Sequence, residues 1–90
     1  MKIQETNERE PESLALAALG WTLSDDARAE RFLALTGLTP DTLRASLGAP
    51  ATLAATIAFL ESHEPDLLAC AEAIGATPAA LVEARRTLER

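Results

Sequence analysis

His63 and Cys70 are the side chains of this 90-residue chain best suited to proton transfer, nucleophilic attack or metal ligation, and each is the only one of its kind. They lie about two helical turns apart, with no second histidine or cysteine to join them. A structural or catalytic zinc needs three or four ligands at metal spacing, and a general base needs a nucleophile or substrate within hydrogen-bond reach. Neither condition is met. His63, in the stretch Ser62-His63-Glu64-Pro65, reads as a solvent-facing turn residue. Cys70 falls on the apolar side of its segment and reads as a small core residue. Around them runs an acidic stretch, Glu61, Glu64, Asp66 and Glu72. Its spacing does not match a calcium-binding loop, whereas Glu64 and Asp66 suit the positive end of a helix dipole. No phosphate-binding glycine loop, nucleophile elbow or zinc-protease pair occurs. The sequence therefore assigns no catalytic residue, no cofactor-binding residue and no metal ligand, and it reads as non-enzymatic.

The composition indicates what kind of scaffold surrounds these residues. Hydrophobic residues make up 48% of the chain, mostly alanine and leucine, with no tyrosine and Val82 as the only valine. Alanine and leucine are strong helix formers, whereas strands draw on β-branched and aromatic residues, so the expected class is all-α. The net charge of −6 argues against a phosphate-binding or anionic-membrane surface. One cysteine forms no intrachain disulfide, which suits a reducing compartment. The longest uncharged stretch, residues 45–60, contains Gly48 and Pro50 and falls short of the about 20 apolar residues of a membrane span. The apolar run at 14–23 follows a net acidic segment, unlike a secretion signal. A cytoplasmic protein is expected.

Residues 1–10 are polar and read as a flexible tail, and 11–90 as a single helical domain. Pro11, Pro40, Pro50, Pro65 and Pro78 each precede helical apolar spacing and suit a first turn, where a missing N–H costs nothing. Ser24 is the candidate cap of a further helix, with Asp25 and Asp26 in its first turn. Six short helices follow, over 11–23, 25–36, 40–47, 50–62, 65–74 and 78–89. The expected inward stripes are Leu16, Leu19 and Leu23, with Leu14, Ala18 and Trp21 beside them; Ala29, Phe32 and Leu33; Leu43 and Leu47; Leu53, Ile57 and Leu60; Leu67, Cys70, Ala71 and Ile74; and Leu81, Ala84 and Leu88. The first and fourth helices are apolar over the widest arc and should be central.

Gly37-Leu-Thr-Pro-Asp-Thr-Leu43 is echoed by Gly75-Ala-Thr-Pro-Ala-Ala-Leu81. Each reads as a left-handed helix stop, a threonine cap, a first-turn proline and a leucine anchor. Sliding the chain by 38 residues aligns three helices with three. Duplication of a three-helix unit and convergence of two joints on one solution both remain open.

The stretches LALAALGWTL, RFLALTGLTPDTLR, LAATIAFLESHEPDLLACA and GATPAALVEARRTL together resemble a small bacterial family of unknown function, domain of unknown function 3572. The resemblance covers residues 14–88, and RFLALTGL followed by the capped proline helix is its most specific part. It implies a compact all-helical protein with no assigned activity and no site residues to transfer.

The function expected is a protein–protein interaction or adaptor module, with a protein partner or self-association. Trp21 and Phe59, equivalent under the 38-residue shift, could form an exposed aromatic pair or belong to the core. The alternative is a DNA-associated regulator in which the second and third helices form a helix-turn-helix, with Arg28, Arg31 and Arg44 on phosphates. Against that stand the acidic balance and Asp41 in the first turn of the would-be recognition helix.

Overall fold

Proline and glycine punctuate the chain as helix starts and stops. The computed structural model describes residues 10–90, which form α1 (Pro11–Leu23), α2 (Asp26–Thr36), α3 (Pro40–Ala45), α4 (Pro50–Glu61), α5 (Glu64–Ile74) and α6 (Pro78–Leu88). No strand occurs among the described residues. Pro11, Pro40, Pro50 and Pro78 open their helices, and Pro65 sits one residue inside α5. Of the expected tail, residues 1–9 lie outside the described residues, and Glu10 is the N-cap of α1.

The joints are built by short-range hydrogen bonds. Gly37 (φ 76°) and Gly75 (φ 74°) end α2 and α5 in the left-handed region, where a side chain would be strained. Thr39 then accepts the Thr42 N–H at 3.1 Å, and Thr77 accepts the Ala80 N–H at 3.0 Å. The start of α2 differs from expectation. Asp25, not Ser24, is its cap and accepts the Arg28 N–H at 2.9 Å. Ser24 instead closes α1, its hydroxyl donating to the Trp21 carbonyl at 2.6 Å. Ser62 does the same at the end of α4, donating to the Phe59 carbonyl at 2.6 Å.

α3 stops two residues short of the expected 47. The Ser46 hydroxyl turns back onto the Thr42 carbonyl at 2.8 Å, a local bond that competes with the helix. Pro50 then keeps Ala49 extended (φ −79°, ψ 127°).

α1 and α4 pack on each other, and each also meets α2, α5 and α6, so the expected centre is found. α6 shares it, lying against both α1 and α4, whereas α3 packs broadly against no other helix. The starts of α2 and α5 and of α3 and α6 keep the 38-residue register, whereas those of α1 and α4 are 39 residues apart; the packing does not repeat, and an internal repeat is not shown. Buried Leu53, Ile57, Leu60 and Leu81 form the centre, each contributing about 1.5–3 kcal/mol through burial. Ala15, Ala18, Ala71 and Ala84 are also buried, and their small side chains let helix axes approach closely.

The expected face of α1 is corrected. Its buried residues are Leu14, Ala15, Ala18, Leu19 and Thr22, while Leu16 and Leu23 point outward. α1 is apolar around its whole circumference, so periodicity cannot select one side. The burial of Thr22 is made possible by its hydroxyl, which donates to the Ala18 carbonyl at 2.8 Å. Leu47, expected inward, is likewise exposed because α3 ends before reaching it.

Candidate functional site

The residues with chemical potential are tied into the scaffold. His63 is the N-cap residue of α5 but makes no capping bond with its side chain. Its Nδ1 lies 3.1 Å from the Asp66 Oδ2, with the imidazole more than half exposed. The same Asp66 oxygen accepts from the Arg31 Nη2 at 2.9 Å. Asp66 thereby holds a histidine on its own helix and an arginine from α2. Glu64 and Glu72 stand exposed on α5, and Glu61 at the end of α4 is bonded to Arg85 of α6. Among the described residues, no three His, Cys, Asp or Glu side chains are grouped to share a metal ion.

Cys70 is fully buried. Burial pushes its thiol up to about 11; Asp66 adds to the rise and Arg28 opposes it. The thiolate is the nucleophile, so this thiol is inert at neutral pH. The shift also sets a stability window. An unfolded chain would release the thiol proton near 9.0 and the folded chain only near 11. Between those values the unfolded state holds fewer protons, so stability falls as pH rises. Urea midpoints measured from pH 8 to 11 are expected to fall through this window, and a Cys70→Ala variant is expected to lose that component of the slope.

The three arginines that a helix-turn-helix would aim at phosphate have other occupations. Arg28 lies with its guanidinium 3.6 Å from the Trp21 ring centroid. It donates to the Trp21 carbonyl at 2.6 Å, the Thr22 carbonyl at 3.2 Å and the Ser24 hydroxyl at 3.1 Å, satisfying acceptors left open by the end of α1. Arg31 serves Asp66 and lies 5.5 Å from the Phe59 ring centroid. Arg44 is paired with Asp41 on the same short helix. α3 has six residues and does not pack broadly on α2, whereas a helix-turn-helix presents two mutually packed helices.

Trp21 and Phe59 do not form an exposed pair. Phe59 is buried edge-on against Phe32, with centroids 5.3 Å apart and planes at 72°. Trp21 is half-buried beneath Arg28. The exposed apolar surface is aliphatic instead. Leu35 is 69% exposed, Leu68 51%, Leu16 44%, and Leu23 and Leu47 37% each. The sequence reading missed the outward pair on α1, Leu16 and Leu23 on either side of Gly20. Spacing places these three residues on one side of a helix, but in a helix apolar all round it does not say which side faces outward.

A family model described as a protein of unknown function (DUF3572) matches residues 8–90. The chain belongs to this family. No curated protein and no solved structure matches it.

Proposed function

We propose that this chain is a non-enzymatic cytoplasmic interaction module that meets a protein partner through an outward apolar helix face. The observation that carries this reading is the outward pair Leu16 and Leu23 on a central helix whose other leucines, Leu14 and Leu19, are buried. Apolar side chains left outward on one face of a helix are available to a partner, and a partner that covers them removes apolar area from water. Supporting it, Cys70 is shielded from reagents and Asp66 is engaged by its neighbours. The alternative, a DNA-associated regulator through α2 and α3, is less supported because Arg28 is bonded to the end of α1, Arg31 is paired with Asp66, and the exposed Arg44 has the carboxylate of Asp41 beside it.

The test is a pull-down from native cytosol with the tagged full chain, paired with a solution mass measurement. A protein partner retained at low ionic strength and released as salt is raised is the expected result. A monomer that retains no protein, yet binds mixed duplex DNA at low salt, would reverse the order of the two readings, since non-specific affinity for phosphate is strongest there.

A further inference from the structure

We infer that the outward stripe of α1 is a docking seat for a basic amphipathic segment of a different protein, one with two apolar anchors and lysine or arginine outside them. This rests on the interaction-module reading above and names the partner's chemistry. The stripe is Leu16, Gly20 and Leu23, all exposed. Its two leucines are seven residues apart, which on a helix is about 10 Å. Between them Gly20 leaves a notch: a Cβ built there meets nothing within 4 Å. A side chain from a partner can therefore reach the α1 backbone between two flanking leucines.

The charge around the stripe selects the occupant. α1 carries no basic residue. Exposed Glu12 stands at one end of the stripe, and exposed Asp25 and Asp26 stand just beyond the other. Arg28, in the first turn of α2, is stacked on Trp21 and bonded to the end of α1. An apolar centre with carboxylates at both ends fits a partner with the opposite pattern. A second copy of this chain does not fit. Antiparallel pairing would set Glu12 against the partner's aspartates, and parallel pairing would set like ends together. A stripe on a 13-residue helix also offers less than the about 800 Å² per partner of a standard interface. The complex should therefore be weak, salt-sensitive and readily reversed.

Two synthetic helical peptides test this, with the same leucine pattern and either lysines or glutamates at both ends. Each is titrated into the full-length chain, followed by NMR. The lysine peptide should bind at least ten-fold tighter than the glutamate peptide. That binding should fall at least ten-fold with Leu16→Glu/Leu23→Glu and with Gly20→Leu, which fills the notch. Leu68→Glu, on α5, should leave it unchanged, and circular dichroism confirms that each variant is folded. Equal binding of the two peptides, or binding indifferent to the α1 substitutions, overturns the seat. So does a dimer of the chain that Leu16→Glu/Leu23→Glu dissociates. In the cytosol pull-down, a partner still retained by the Leu16→Glu/Leu23→Glu bait overturns the seat and leaves the interaction-module reading standing. Loss of the partner with that bait supports both.

Discussion

α3 and α6 start from the same local instruction and reach different ends. Each follows a left-handed glycine, a threonine cap and a first-turn proline, and each anchors a leucine, Leu43 or Leu81. After the first turn the two diverge. α3 meets Ser46, Leu47 and Gly48, and ends at Ala45; α6 has Ala84, Arg85 and Arg86 in the corresponding places and runs to Leu88. Ala84 is buried, and Arg85 bonds Glu61 of α4. α6 therefore lies across both central helices, whereas α3 stays at the edge. A capped joint decides where a helix begins. The residues beyond its first turn decide how far it runs and whether it joins the core.

The largest expected effect compares the helices just before the two joints. Phe32 of α2 and Cys70 of α5 are both fully buried, 38 residues apart. Phe32→Ala should cost about 3–5 kcal/mol in urea unfolding, and Cys70→Ala about 1 kcal/mol. Equal costs would mean that Phe32 contributes less to the packing of α2 than its side-chain volume suggests. Next come the two anchors. Leu81→Ala should lie high in the range of about 2–5 kcal/mol and Leu43→Ala at or below its low end; the reverse order would overturn the edge position of α3. The caps separate the joints in another way. Thr77→Ala should lower global stability by about 1 kcal/mol. Thr39→Ala should instead speed amide exchange across α3 with a smaller shift of the urea midpoint, since an edge element opens locally. The smallest effect is Gly48→Ala. Its Cβ would meet no atom within 4 Å, and its φ is not positive, so a gain of about 0.4–1 kcal/mol is expected from the stiffer unfolded chain. A loss would show that the end of α3 depends on a flexible Gly48.

Much of this fold was legible in the sequence, and the gaps have physical causes. Proline and glycine act through their own backbones, so the helix starts and the two left-handed stops could be read locally. The inward face of α5 was legible because its apolar residues keep a clear period, and Leu53, Ile57 and Leu60 of α4 were legible because that helix is buried over most of its circumference. α1 defeated the same reading because it is apolar all round, so only its neighbours choose which leucines stay outside. The sequence singled out the first and fourth helices as central and gave no sign that α6 shares that place. Arg85 stays mostly covered by pairing with Glu61, a contact between residues 24 apart that no local pattern announces. Within the candidate site, the exposure of His63 and the burial of Cys70 could be read from their places in the chain, a turn and an apolar helix face. The placement of Arg28 over Trp21 could not, because it depends on how α2 turns back on α1.

That placement has an optical consequence. Trp21 is the only tryptophan, so intrinsic emission comes from the α1–α2 corner, with a cation stacked on the emitting ring. Detachment of α3 would pass without a signal in that channel, while loosening of Arg28 would change it with every helix intact. Emission and far-ultraviolet dichroism thus watch different parts of this chain. A gap between their unfolding curves would time the two corners separately.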